Sequence, residues 1–165
     1  MARGAIRGQG AMRTQSRQTE SWTAWIHQFA PWTHAVTITC KRFDPFGRSI
    51  TPRIVEDAAR HFLRRLNHSL FGKHRCRRGH SVGSAVCYGF GLYGDHPHLH
   101  MSLACPDRIA SGEFTKIINR CADRTFWLNK QRTIKHYRDE GWSAYLLEHG
   151  SEQLILSLLH PVHFT

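Results

Sequence analysis

The chain has 165 residues, of which 41% are hydrophobic, so it is long enough for one domain with a real core and too apolar to be disordered throughout. It carries 23 Lys and Arg against 12 Asp and Glu, a formal net charge of +11, and so basic a protein usually binds a polyanion. No apolar run reaches transmembrane length, and the five cysteines include no CxxC pair, which argues against a membrane span, a disulfide framework and a zinc ribbon. We expect a cytoplasmic protein that binds nucleic acid rather than membrane.

The N-terminal residues 1–20 are rich in Gly, Arg, Gln, Ser and Thr, and this composition predicts a flexible basic arm. The remaining residues, 21–165, are predicted to form a single domain. Its first element is an aromatic segment in which Trp22, Trp25 and Phe29 share one helical face, a pattern typical of a short helix packed on the body of the domain.

The rest of the domain alternates strand-like and helix-like patterns. Residues 34–42 predict a strand, and a helix follows from Thr51, with Pro52 in its first turn and Gly72 at its end, before a basic loop at 73–78. The further predicted elements are strand 82–93, turn 94–95, strand 98–105, helix 112–124, strand 127–137, helix 142–149 and strand 153–159. This order predicts an α+β fold, in which an antiparallel β-sheet of about five strands forms a ferredoxin-like or RRM-like core with helices packed on it.

Three histidines lie at alternate positions in the segment His96-Pro97-His98-Leu99-His100. On a strand, His98 and His100 point to one face of the sheet while Leu99 points to the other. Two imidazoles on one face are a ready pair of metal ligands. The alternative is a hairpin with solvated histidines, and thirteen histidines in the chain make chance clusters common. The apolar strand that follows favours the ligand pair.

A second cluster of reactive side chains lies near the C-terminus, in the segment GWSAYLLEHG at residues 141–150. On a helix, Tyr145, Glu148 and His149 are spaced i, i+3 and i+4 and share a face. A tyrosine hydroxyl attacks phosphorus when a metal polarises the phosphate and proton removal is assisted. By itself this tyrosine is better explained as a buried structural residue, but the histidine pair favours a nucleophile. Tyr137 is the reserve candidate.

Three segments, taken in order, carry a resemblance to a known superfamily. They are HAVTIT at residues 34–39, PHLH at 97–100 and IKHYRDEGWSAY at 134–145. In this order the chain resembles the HUH-superfamily single-strand DNA endonucleases, most closely the rolling-circle replication initiator (Rep) proteins or the single-tyrosine HUH transposases. The second segment resembles the histidine–hydrophobe–histidine motif, and the third resembles the strand, turn and helix that carry the nucleophilic tyrosine.

The resemblance implies a metal site and a nucleophile. His98 and His100 would bind a divalent metal, Mn²⁺ or Mg²⁺, and Tyr145 would be the catalytic nucleophile. Many relatives carry a glutamate as third ligand on the preceding strand, but that position is Leu92 here, which cannot ligate. Similarity to the single-tyrosine transposases favours His149 as the third ligand. The alternatives for this position are Glu148, His96 and Asp95.

The implied reaction is metal-dependent, site-specific nicking and strand transfer of single-stranded DNA through a 5′-phosphotyrosine intermediate, which leaves a 3′-OH. Such an enzyme would initiate rolling-circle replication of a phage or plasmid in the cytoplasm of a bacterial host cell, with a hairpin origin as a target. The chain contains no GxxxxGK[ST] helicase motif, so a host helicase and polymerase would be partners. The candidate DNA-binding residues are Lys41, Arg42, Lys73, Arg75, Arg77, Arg78, Lys135 and Arg138.

Three other functions remain open at this point. An HUH transposase-like strand transferase fits the same residues. The spacing His96-x-His98-x-His100 is also that of histidine-triad nucleotide hydrolases, in which His98 would be the nucleophile without metal, although Ser102 interrupts the expected apolar tail. A non-catalytic nucleic-acid-binding module would need only the basic sheet.

Overall fold

The computed structural model of the protein describes residues 20–90, 97–147 and 154–161. One antiparallel sheet contains four strands: β1 (His34–Cys40), β2 (Gly83–Gly89), β3 (His98–Ala104) and β4 (Leu128–His136). The helices of this part of the chain are α1 (residues 20–29), α2 (Pro52–Arg77), α3 (Ser111–Asp123) and α4 (Glu140–Leu146). None of them is long and apolar enough to cross a membrane.

The sheet confirms the predicted fold class. Its strands lie in the order β2-β3-β1-β4, and all neighbouring pairs are antiparallel. A β-α-β-β-α-β unit that folds into one such sheet is the ferredoxin-like arrangement. The described chain has four strands where about five were expected, and the difference lies in the last predicted strand.

The segment predicted as strand 153–159 is not a regular strand. Leu154 and His160 each form one isolated bridge to the outer edge of β2, to Cys87 and Ser84 respectively. Between these bridges the chain forms a 3-10 turn, Leu156–Leu158, so the ladder of hydrogen bonds is interrupted. This segment covers the β2 edge as a broken strand, which protects the edge from pairing with other chains.

The alternating pattern of the strands divides the core between the two faces of the sheet. On β3, Leu99, Met101 and Leu103 are fully buried on the face that α2 and α3 cover. The opposite face packs against α1 and α4, through residues that include Ile26 and Leu146. Side chains alternate between the two faces along each strand, and helices cover both faces, so the core is divided between them. His98 and His100 lie on the face that α1 and α4 cover.

Helix α2 begins as predicted, with Thr51 as N-cap: its hydroxyl accepts a hydrogen bond from the Ile54 amide at 3.4 Å. The helix breaks at Gly72, which has φ 77° and ψ 157°, a conformation that only glycine adopts without strain. The helical conformation then resumes and continues to Arg77, so the prediction of a basic loop at 73–78 was wrong for most of that segment.

The remaining boundaries differ from the predicted ones by a few residues. Helix α4 begins at Glu140 and ends at Leu146, whereas the prediction ran from Trp142 to His149. The end of strand 82–93 and the turn at 94–95 lie outside the described residues. So does the predicted arm at 1–20, except for Glu20, which is already helical.

Candidate active site

The histidine pair lies on β3, next to the centre of the sheet. Leu99, between the two histidines, points into the core, so His98 and His100 point to the other face. Their ring centroids are 4.5 Å apart. His100 is buried, with 2% of its surface exposed, whereas His98 is only partly buried. Of the two rings, His98 is therefore the one that a ligand reaches from solvent.

Strand β1 supplies a hydroxyl to the buried histidine. The register pairs Thr37 with His100, and Thr37 Oγ1 lies 3.1 Å from His100 Nδ1. A hydrogen bond at one ring nitrogen fixes the orientation of an imidazole that ligates through the other nitrogen. Thr37 is thus suited to hold His100 in position as a metal ligand.

The thiol opposite His100 on β2 is a less suitable ligand. Cys87 pairs with His100 in the sheet register and is 1% exposed. Burial raises the pKa of the Cys87 thiol to about 12, because the thiolate form would be desolvated. Since the thiolate is the form that binds metal, Cys87 acts here as a small apolar side chain.

Helix α4 brings Tyr145 onto the histidine pair. The Tyr145 ring lies edge-on to His100, with centroids 4.8 Å apart, and Trp142 lies edge-on to the same imidazole at 5.9 Å. Trp142 and Tyr145 stack on each other at 5.2 Å. Tyr145 is 43% exposed, so it is not a buried structural residue.

The position of α4 is fixed at both of its ends. At the start, the Asp139 carboxylate accepts a hydrogen bond from the Gly141 amide at 2.9 Å, and a Cβ at Gly141 would lie only 3.0 Å from that carboxylate oxygen. At the other end, Leu146 and Leu147 are buried in the core beneath the helix. With its inner side packed in this way, α4 presents Tyr145 to solvent.

The reserve nucleophile has a structural role. Tyr137 follows β4, and its hydroxyl lies 2.7 Å from Ser143 Oγ on α4 and 2.8 Å from His27 Nδ1 on α1. Ser143 is fully buried. Tyr137 therefore links two helices to the end of the sheet, and its hydroxyl is engaged within the protein.

The third metal ligand is not brought to the site by any described residue. Helix α4 ends at Leu146, with Leu147 as its C-cap, and the predicted ligands Glu148 and His149 follow in the sequence. Those two residues lie outside the described part of the chain, as do the alternatives His96 and Asp95. Within the described ranges, no three His, Cys, Asp or Glu side chains are grouped to hold a metal.

Two of the predicted DNA-binding residues lie beside the site. Lys135 and Arg138 line a cleft of about 610 Å³ together with Trp142. Lys135 is exposed on β4 and pairs with Ala35 of β1, which also lines the cleft. Because Ala35 and Thr37 lie on the same face of β1, this basic cleft opens on the face that carries His100.

Lys41 and Arg42 lie just after β1, and each covers an aromatic ring. The Lys41 ammonium lies 4.4 Å from the centre of the Phe126 ring, and the Arg42 guanidinium lies 5.2 Å from that of Phe43. Phe126 and Phe43 are about half exposed. Cations beside exposed aromatic rings are typical of surfaces that bind single-stranded nucleic acid.

The other predicted DNA-binding residues are not brought to the histidine pair. Lys73, Arg75 and Arg77 belong to the last part of α2, and Arg78 is its C-cap. Helix α2 covers the opposite face of the sheet. Their charges therefore serve a different surface from the candidate active site.

Sequence reasoning missed Thr37 and Trp142. The alternation in β1 already predicts that Thr37 faces away from the core, but pairing it with His100 requires the register of β1 against β3, which no local pattern specifies. Trp142 lies one helical turn before Tyr145, so its position against the same imidazole follows from helical spacing.

Comparisons with known proteins do not identify a family. No family model matches the chain, and neither the curated proteins nor the solved structures contain a match.

Proposed function

We propose that this protein nicks and rejoins single-stranded DNA in a metal-dependent reaction, with Tyr145 as the nucleophile and a 5′-phosphotyrosine intermediate. The observation that supports the proposal most directly is the 4.8 Å separation between the rings of Tyr145 and His100, next to His98. The nucleophile and the ligand pair come from elements more than forty residues apart in the chain. Such a convergence of nucleophile and ligand pair on one face of the sheet is what the reaction requires.

The residues present fit part of a divalent metal site. His98 and His100 would hold Mn²⁺ or Mg²⁺, and the Thr37 hydroxyl at 3.1 Å from His100 Nδ1 is the supporting contact that ligating histidines commonly have. When bound, the metal would neutralise charge that develops on the scissile phosphate. His149, Glu148, His96 and Asp95 remain the candidates for the third ligand.

The chain's own groups carry out the covalent step. The Tyr145 oxygen forms a bond to phosphorus while the bond from phosphorus to the 3′ oxygen breaks, and the phenol proton is lost as the departing 3′ oxygen gains one. The 5′ segment then carries a 3′-OH, and the 3′ segment stays attached to Tyr145. Attack by a 3′-OH on the phosphotyrosine reverses the step and joins strands.

The basic and aromatic side chains beside the site would bind the strand. Lys135 and Arg138 suit the phosphates that flank the scissile bond, since both line the cleft next to Trp142. At the end of β1, Lys41 and Arg42 suit phosphates, and the aromatic rings that they cover suit bases. These contacts would position the strand, and a hairpin at the origin would supply the exposed bases.

The biological role that fits best is initiation of rolling-circle replication of a phage or plasmid in a bacterial cytoplasm. The reaction would yield the 3′-OH that a host polymerase extends, and a host helicase would be a further partner. A transposase would use the same chemistry on two DNA ends. The transposase role would be favoured if the protein joined two different oligonucleotides in preference to leaving a 3′-OH that a polymerase extends.

Nicking of end-labelled single-stranded DNA from a random-sequence pool tests the proposal. We expect cleavage with Mn²⁺, none with EDTA, none with Tyr145→Phe, and cleavage retained in the matched variant Tyr137→Phe. A histidine-triad hydrolase would instead retain its activity on nucleotides in Tyr145→Phe, and a non-catalytic module would bind the DNA without cutting it. Either result would refute the proposal.

A further inference from the structure

A second surface of the molecule carries a concentration of positive charge. Two cavities, of about 480 and 190 Å³, adjoin at His68 on α2. We call the arginine and histidine side chains of their lining the arginine band, which consists of Arg60, Arg64, Arg65, Arg77, Arg120 and Arg124 with His68, His80 and His160. None of the described residues that line either cavity is acidic.

Local carboxylates neutralise little of this charge. The sequence has no Asp or Glu between Asp57 and Asp95, although it has seven Arg and Lys there: Arg60, Arg64, Arg65, Lys73, Arg75, Arg77 and Arg78. Two guanidinium groups of the band lie near the longest distance at which an ion pair forms. Arg60 is 4.0 Å from Asp57, and Arg120 is 3.9 Å from Glu113. Arg48, outside the band, binds Asp44 at 2.5 Å, so close pairs do form elsewhere in this protein.

The pKa of a neighbouring histidine reflects the same excess of positive charge. His61 lies on α2 and accepts a hydrogen bond from Arg65 Nε at 3.2 Å. The pKa of His61 is lowered, first by burial and then by the positive charges of Arg65 and Arg64. The positive charges of Arg64 and Arg65 thus disfavour a further cation next to them on α2.

The arginine band is separate from the candidate active site. Helix α2 covers the face of the sheet that holds Leu99 and Met101, whereas His98 and His100 point to the opposite face. The larger cavity also includes Leu158 and His160, which belong to the segment along the outer edge of β2. A strand bound at Tyr145 and an anion bound in the band would thus contact different sides of the sheet.

The lining of the band indicates which kind of nucleic acid fits. Its side chains are cationic, polar or aliphatic, and no Phe, Tyr or Trp lines either cavity. Sites for single strands combine basic residues with aromatic rings on which bases stack. A duplex keeps its bases stacked inside and presents phosphates, which arginine binds through paired N–H groups.

We propose that the arginine band is a second DNA-binding site, which binds the phosphate backbone of duplex DNA without reading its sequence. It would hold duplex next to the single-stranded region on which Tyr145 acts. The binding itself does not depend on the nicking reaction, because neither the metal nor Tyr145 takes part in it. Its failure can therefore be distinguished from failure of the proposed nuclease function.

The test is the affinity for a blunt-ended duplex without metal, measured by fluorescence anisotropy over a range of salt concentrations. The double variant Arg64→Gln/Arg77→Gln removes two exposed charges from the band, and Arg53→Gln/Lys130→Gln removes two exposed charges outside it. We expect the first variant to lose at least about tenfold in duplex affinity and to lower the slope of log K against log salt by about 2, since each phosphate contact contributes about 0.9. The control should lose much less.

Equal losses in the two variants would overturn the proposal, because they would show an effect of net charge alone. A loss of affinity for single strands as large as that for duplex would also overturn it. Vesicles that contain anionic lipid provide the remaining comparison: binding to vesicles that depends on Arg64 and Arg77, without such dependence for duplex, would make the band a membrane-binding surface. Circular dichroism melts of both variants check that folding is unchanged.

Discussion

At the scale of single residues, the contact between Thr37 and His100 decides how well the candidate metal site is organised. The hydroxyl and the imidazole nitrogen are 3.1 Å apart, and His100 is buried. A hydroxyl both donates and accepts, so it does not select the tautomer, but it holds a buried imidazole in a single orientation.

Thr37→Val keeps the shape of the side chain and removes the hydroxyl. We expect the Mn²⁺ concentration for half-maximal nicking to rise by about 10- to 100-fold, the range in which supporting contacts affect metal sites. Thr133→Val is the matched control, because Thr133 pairs with Thr37 in the sheet and is exposed. If both variants need the same Mn²⁺ concentration as the wild-type protein, Thr37 has no such role.

A second residue of interest is His34, which is 2% exposed on the other face of β1. Its Nδ1 lies 2.8 Å from the Thr33 hydroxyl and its Nε2 lies 3.1 Å from that of Ser111. Burial, followed by the charge of His136, lowers the pKa of His34, and hydrogen bonding at Ser111 partly opposes this. The neutral imidazole is therefore the form that the fold accommodates.

This lowered pKa predicts a loss of stability in acid. The unfolded chain binds a proton at His34 near pH 6.5, whereas the folded chain binds it only at lower pH, so the free energy of unfolding should fall as pH drops below about 6.5. Urea unfolding at several pH values measures this, and His34→Gln should flatten the fall while His74→Gln, an exposed control, should not. An unchanged pH dependence in His34→Gln would contradict the assignment.

At the scale of elements, the break in α2 is built into the sequence by one glycine. Gly72 has φ 77°, and no atom lies within 4 Å of where its Cβ would be, so a side chain there would be strained by the backbone and not by crowding. Arg77, which follows the break, lines the same cavity as Arg60 and Arg64, which precede it.

A pair of alanine substitutions tests this account of α2. Gly72→Ala should destabilise the protein by about 1–2 kcal/mol, because alanine rarely adopts a positive φ. Gly112→Ala, in the regular helix α3 and also with open space around it, should stabilise by up to about 1 kcal/mol. Thermal or urea unfolding measures both, and equal effects of the two substitutions would refute the explanation.

The sequence predicted the existence of the elements better than their ends. The break of α2 at Gly72 follows from glycine chemistry, but the helical turn after it does not, because polar residues such as Lys73 and Arg75 are compatible with either loop or helix. The end of α4 was also missed. Leu146 and Leu147, where the helix ends, are buried. No local sequence pattern reveals this tertiary packing.

At the scale of the whole molecule, the histidine pair and the tyrosine could be predicted as separate features but their meeting could not. The two-residue period of β3 predicts that His98 and His100 share a face, and the helical pattern predicts a helix that carries Tyr145. Whether that helix packs on the histidine face depends on the course of the chain after β4. In the structure Leu146 and Leu147 are buried in one cluster with Ala85 and Cys87 of β2, and this packing holds α4 on the histidine face.

The charge of the molecule also has an arrangement that composition does not reveal. A net charge of +11 predicts a polyanionic partner, but only the fold separates Lys135 and Arg138, beside the candidate active site, from Arg64 and Arg77 on the α2 side. Two basic surfaces on opposite sides of one sheet suit a protein that handles single-stranded and duplex DNA together.

The most direct test of the central claim is mass spectrometry of the intact protein after incubation with a random-sequence pool of single-stranded DNA and Mn²⁺. We predict a covalent nucleotide adduct that peptide mapping assigns to Tyr145, absent with EDTA and in Tyr145→Phe, and retained in Tyr137→Phe. The absence of any adduct under these conditions, or an adduct on a residue other than Tyr145, would contradict the account.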